Sequence, residues 1–245
     1  MANLEIAFPA LSRAARRRLA RRSFGHLCVT ALELPGLLRG PLDRVLASLA
    51  LEGRENLDEV IRTHGRALML TAHLGNWEVL SYAARLVGQP ITIVVRPLDA
   101  GWLNGVIEQL RLAAGAVIIP KQHALRPVLA ALKRGGLVGI LMDQNAARRE
   151  GVFVPFFGRP ASTSRSIATL AIRTGTPIVP VFASREFPGR HRVTLEPALV
   201  PKPGQPSEEA IVELTARCTA RIEAAVRATP EQWLWFHDRW RTQPR

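Results

Sequence analysis

The chain of 245 residues is 47% hydrophobic and 22% charged, which excludes wholesale disorder and suits a sizeable packed core. Its two cysteines, Cys28 and Cys218, exclude a disulfide scaffold. The net charge of +13 points to an anionic partner, and 6% aromatics with no zinc-finger or RNP-like motif argue against nucleic acid.

The first 65 residues read as a helical segment packed on the remainder. Within it Arg13, Arg16, Arg17, Arg18, Arg21 and Arg22 crowd one stretch, with Arg13, Arg17 and Arg21 on a single stripe. That stripe suits a solvated face or a membrane-surface patch, the second worth on the order of 1 kcal/mol per arginine near anionic lipid. No apolar run approaches the roughly 20 residues that a membrane span requires. No signal-peptide layout opens the chain, so a cytoplasmic, peripheral protein is expected.

From residue 66 to 245 strand and helix patterns alternate as one α/β core, so the whole chain is expected to be a single domain. Residues 66–72, RALMLTA, form a buried strand and 75–87 a helix. Residues 91–96 form a β-branched strand stopped by Pro97, followed by a helix over 100–114. A short strand at 116–119, a helix at 122–134 and a buried strand at 137–142 come next. A long loop is expected over 143–162, then a helix over 163–174 and a strand over 177–183. Residues 192–199 read as an edge strand because Pro197 lies inside it. Ser207 opens a helix with Glu208 and Glu209 in its first turn, and a Trp-rich tail at 230–241 closes the chain. The expected fold is a largely parallel mixed sheet sandwiched by helices, preceded by the N-terminal helical segment.

Three polar residues directly follow predicted strands, where α/β folds bind ligands: His73, Arg96 and Asp143. His73 opens the string HLGNWE, which ends at Glu78. On a continuous helix the two would stand about 140° apart. With His73 on a strand-to-helix turn, Gly75 permitting the bend and Asn76 capping, Glu78 in the first helical turn reaches the imidazole. The carboxylate then fixes the tautomer and leaves the other nitrogen as a base. The alternative is a structural histidine beside a helix-start charge. No nucleophile elbow, HExxH, P-loop or GxGxxG occurs, so no motif asks for a metal or cofactor. The chemistry left to such a base is deprotonation of a substrate hydroxyl without a covalent enzyme intermediate. The aromatics Trp233, Trp235, Phe236 and Trp240 fall on an expected short helix and read as packing on the domain, with a membrane-interface belt as the alternative, and His26, His64, His123, His191 and His237 read as surface or ordinary structural residues.

TAHLGNWE, VVRP, MDQNAARREGVFVPFFGRPASTS and WLWFHDRW, in that order, resemble the lipid A biosynthesis acyltransferases, over nearly the whole chain from Asn3 to Arg241. That family moves a fatty acyl chain from acyl carrier protein to a hydroxyl of a lipid A precursor, and it is similar to the glycerolipid acyltransferases with their His-x4-Asp/Glu pair. The resemblance implies a glycerolipid-acyltransferase-like fold, His73 as general base and Glu78 as the residue that orients it. It implies that Arg96 binds acceptor phosphate or steadies oxyanion charge, that Asp143 supports the site, and that Asn76 and Arg159 help bind substrate. Phe153, Phe156 and Phe157 are either a core plug or the wall of an acyl-chain groove, where each buried CH₂ contributes about 0.8 kcal/mol. The implied partners are acyl carrier protein, a phosphorylated glycolipid and an anionic membrane surface, at the cytoplasmic face of the inner membrane. Members of that family usually carry an N-terminal membrane helix ahead of the segment matching NLEIAFP, where this chain starts: either this is a peripheral version, with the Arg13–Arg22 stripe as the candidate substitute for attachment, or the start is misplaced or truncated. Phosphatidylinositol mannoside acyltransferases resemble the same pattern, which leaves the acceptor open. A thioester hydrolase and a non-catalytic lipid or carrier-protein binder are the other readings.

Overall fold

A computed structural model describes residues 1–95, 101–202 and 204–244. Its seven-stranded sheet is built from β1 (Leu49–Glu52), β2 (Ala67–Thr71), β3 (Ile91–Val95), β4 (Val117–Pro120), β5 (Leu137–Leu141), β8 (Ile178–Phe187) and β9 (Arg190–Leu195). The spatial order is β1-β9-β8-β2-β5-β3-β4, and every adjacent pair is parallel except the β8–β9 hairpin. Outside this sheet, β6 (Gly151–Phe156) and β7 (Arg159–Ser164) pair antiparallel with each other.

The unbroken apolar run of β2 is explained by burial on both faces. Leu68 and Leu70 enter one core with residues of α7 (Leu125–Lys133), α8 (Ser166–Thr174), α9 (Glu208–Ala228) and the β6–β7 hairpin. Ala67 and Met69 enter the opposite core, with α3 (Leu42–Ala47), α4 (Arg54–His64), α5 (Val79–Leu86) and α6 (Gly101–Ala113). The expected mixed, mostly parallel sheet between helical layers is therefore present. At the N-terminus α1 (Ala2–Ala7) precedes the 27-residue α2 (Arg13–Arg39), which opens on Ser12, whose Oγ accepts from the Ala15 N–H at 3.2 Å.

Three expectations are corrected. The loop expected over 143–162 contains the β6–β7 hairpin, and α8 starts at Ser166 because β7 occupies residues 159–164. Pro155 sits opposite Pro160 in a two-stranded ribbon that has free edges, where a missing N–H costs little. Residues 192–199 do not form the edge strand: β9 lies inside the sheet, ends before Pro197, and is covered by β1, which comes from the segment expected to be wholly helical. Finally, η1 (Pro230–Gln232) is a single 3₁₀ turn, after which Trp233 is extended and bridges antiparallel to Leu74.

Candidate active site

The parallel register of β2 and β5 sets Thr71 beside Leu141, and the Met142 N–H donates to the Thr71 carbonyl at 3.2 Å. Two residues further along both chains come His73 and Asp143, side by side beyond the strand ends. The imidazole Nδ1 lies 2.8 Å from Asp143 Oδ1, and the His73 backbone N–H donates to Oδ2 at 3.0 Å. Trp233 Nε1–H donates to the same Oδ2 at 2.8 Å. Asp143 is buried, and all three donors converge on its carboxylate. Burial favours the neutral acid, but the charge and hydrogen bond of His73, with the Trp233 donor, hold the carboxyl below its ordinary range. For His73, burial pulls the imidazole pKa down, while the charge and hydrogen bond of Asp143 and the charge of Glu78 leave it raised above 6.5. An Nδ1–H donating to Asp143 leaves Nε2 with its lone pair, and the side chain keeps 20% of its surface exposed.

The carboxylate partner is thus Asp143, where Glu78 had been expected. Glu78 accepts two hydrogen bonds from the Arg111 guanidinium of α6, at 2.7 and 2.8 Å, and one from Trp77 Nε1 at 2.9 Å. The bidentate clamp turns the carboxylate toward α6, although its charge is still felt at the imidazole. The Trp77 ring stands edge-on to the imidazole with centroids 5.0 Å apart.

The turn itself is built as expected at Gly75, whose φ is +61° and whose missing Cβ would lie 2.1 Å from the Ala183 carbonyl oxygen. The C-terminal tail zips along it: Gly75 N–H donates to the Gln232 carbonyl at 3.0 Å and Leu234 N–H to the His73 carbonyl at 3.1 Å. Asn76 caps the turn, its Oδ1 accepting from the Glu78 N–H at 3.3 Å. It is fully buried, and its Nδ2 donates to Glu33 Oε2 at 2.9 Å, so its amide is spent inside the protein and does not face a substrate. Glu33 in turn accepts from Arg185 Nε and Nη2 at 2.9 and 2.6 Å, tying α2 to β8.

Phe156 and Phe157 lie in the core. Phe156 packs 5.6 Å from both Trp233 and Trp240, and Phe157 packs 5.3 Å from Phe8 and 6.0 Å from Trp235. As placed they are buried core filling, while half-buried Phe153 lies under the Arg148 guanidinium, 5.6 Å from ring centroid to Cζ. Arg159 is exposed at the tip of the β6–β7 hairpin, and Arg96 lies outside the described residues.

Sequence reasoning missed Arg111 and the polar role of Trp233. Arg111 gives no signal beyond a cation in the last turn of a helix. Trp233 had one: a buried indole N–H needs an acceptor, and the strand-end Asp143 was without a donor. Buried Arg239 in the same tail was also passed over. It donates to the Ser162 carbonyl at 2.7 Å, hydrogen-bonds Thr163 Oγ1 and lies 5.1 Å from the Phe156 ring centroid, with burial pushing its pKa down to about 10.

A mostly parallel α/β sheet with an imidazole–carboxylate pair at adjacent strand ends defines an enzyme-like scaffold, and comparison with known proteins narrows it. Residues 1–242 match the family described as bacterial lipid A biosynthesis acyltransferase, and the chain belongs to that family. It is 26% identical to the lipid A biosynthesis palmitoleoyltransferase of Escherichia coli (strain K12), over 99% of this chain and 78% of that protein. It is 27% identical to the lipid A biosynthesis lauroyltransferase of the same organism, with the same coverage of each. The phosphatidylinositol mannoside acyltransferase of Mycobacterium tuberculosis (strain ATCC 25618 / H37Rv) is 26% identical over 89% of this chain and 68% of its own.

Proposed function

We propose that this protein transfers a fatty acyl group from an acyl carrier protein thioester to a hydroxyl of a lipid A precursor or related phosphorylated glycolipid. The observation that carries the reading is the His73 imidazole, held through Nδ1 by buried Asp143 while the side chain stays partly exposed. Nε2 takes the proton of the acceptor hydroxyl as its oxygen attacks the thioester carbonyl carbon. Asp143 holds the tautomer and offsets the imidazolium charge. The tetrahedral adduct then expels the carrier thiolate, which recovers the proton from His73, so atoms and charge balance without a covalent enzyme intermediate. Glu78 acts through Arg111, presenting a fixed guanidinium beside the base. Arg96, which follows β3, is the proposed contact for acceptor phosphate or the developing oxyanion. Among the described residues no helix is long and apolar enough to cross a membrane. A peripheral position at the cytoplasmic face of the inner membrane rests on the net charge of +13 and on the lipid nature of the acceptor.

Purified protein incubated with an acyl carrier protein thioester and a phosphorylated glycolipid should give the acylated glycolipid by mass spectrometry. His73→Ala should lower turnover by about 10² to 10⁴. Near-wild-type turnover in that folded variant would refute the assignment. Free fatty acid released regardless of acceptor would identify a hydrolase, and no turnover with retained ligand binding a non-catalytic descendant. Similarity to a phosphatidylinositol mannoside acyltransferase supports a second reading that changes the acceptor alone, and presenting both acceptors in competition decides it.

A further inference from the structure

The outward face of α2 changes character along its length. Over residues 13–22 every exposed side chain except Ala14 is an arginine, while between residues 24 and 36 every exposed residue is uncharged. The ionisable groups of that second stretch, His26 and Glu33, turn inward onto Arg185. Phe24 is 57% exposed, Leu32 78% and Phe236 59%, and the rings of Phe24 and Phe236 meet edge to face with centroids 6.0 Å apart. Phe236 follows Leu234, whose N–H is bonded to the His73 carbonyl, so the aromatic pair flanks the strand-end turn.

We propose that this face is the surface on which the protein docks to an anionic lipid bilayer, with Arg17 and Arg21 on the lipid phosphates and Phe24, Leu32 and Phe236 entering the headgroup boundary. More than half of each residue of the phenyl pair stays exposed to water, and apolar side chains beside a cationic stretch match a lipid interface in both chemistry and charge. The placement rests on the acyl-transfer reading only in that it brings a lipid acceptor to the side of His73. The occupant is lipid because the arginines would repel the same basic face of a second copy.

Cys28 lies in the middle of this face, exposed, while Cys218 is buried. An environment-sensitive fluorophore on Cys28 should brighten and shift to the blue with vesicles of phosphatidylcholine and phosphatidylglycerol, and much less with phosphatidylcholine alone. In a Cys28→Ser background, the same label on Thr63→Cys, near the opposite ends of the strands, should not respond. Arg17→Ala and Arg21→Ala should each lower partitioning about fivefold. Phe24→Ser with Leu32→Ser should lower it further without moving the melting temperature, since both side chains are exposed. Vesicle flotation that ignores these substitutions, or no flotation, overturns the proposal. So does a label already shifted without lipid in a concentration-dependent manner, which would assign the face to a second copy. Lipid binding needs no turnover: vesicle capture without acyl transfer would sink the enzymatic reading and leave this surface standing, and transfer to a detergent-dispersed acceptor without capture would do the reverse.

Discussion

Asp143 is placed so that its two oxygens are not interchangeable. Oδ1 faces the imidazole Nδ1, while Oδ2 receives both the His73 backbone N–H and the Trp233 indole. An asparagine here has one oxygen for the two sides. With that oxygen kept on the two N–H donors, its amide nitrogen donates to Nδ1 and forces the proton onto Nε2, which removes the lone pair of the proposed base. Asp143→Asn should therefore lower kcat by on the order of 10³ to 10⁴ with little change in fold, as loss of the correct tautomer does in a triad. The pH dependence carries a second signature. The imidazole is raised above 6.5, so its neutral, proton-accepting form grows in as pH rises through that higher value. The ascending limb of kcat/KM should have its midpoint above 6.5, and in Asp143→Asn the residual limb should move to lower pH because the carboxylate charge is gone. A limb that stays in place would remove Asp143 from the base.

At the scale of elements, the site is a strand end, a bend and a tail held in register by backbone hydrogen bonds. Gly75→Ala tests that arrangement, since a methyl group 2.1 Å from the Ala183 carbonyl must push β8 away from the turn, on a backbone at φ +61°. The conformation alone costs about 1–3 kcal/mol. The melting temperature should fall, and kcat measured well below it should fall too, because the bend carries His73. The clamp from α2 to β8 makes a different prediction. Burial and then the Arg185 charge push His26 down to about 4, and burial also lowers His191. Both histidines fold neutral, so the unfolded chain binds more protons below 6.5, and stability contributed by their neutral forms declines as pH falls from 6.5 toward 4. Denaturant midpoints should fall across that window, and His26→Gln should flatten the fall.

Across the whole molecule the excess of arginine acts at long range. For the proposed acyl transfer, a net charge of +13 is expected to raise the encounter rate with an acidic carrier protein and with lipid phosphates. Between about 0.1 and 1 M salt the screening length shrinks from about 10 to about 3 Å. The value of kcat/KM for carrier-bound donor should therefore drop steeply over that range while kcat changes little. A salt-independent kcat/KM would mean that the charge serves neither partner.

What could be read along the chain was whatever is local. Apolar runs of strand length ending in His73 and Asp143 announce a sheet with polar groups at its carboxyl edge, and the Gly75–Asn76 pair announces the bend. Ser207 with two following glutamates marks the start of α9 in the same way. Which carboxylate meets the imidazole was decided by strand order. Only because β5 lies next to β2 does Asp143 arrive at His73, and no spacing between residues 73 and 143 encodes that neighbour relation. Burial chose between the remaining alternatives. Phe156 and Phe157 went to the core because three tryptophans of the tail complete their packing, and Trp233 acquired a polar task because its N–H is buried against Asp143. Local geometry follows from neighbours in sequence, whereas partners brought together across a sheet depend on the packing of every layer at once.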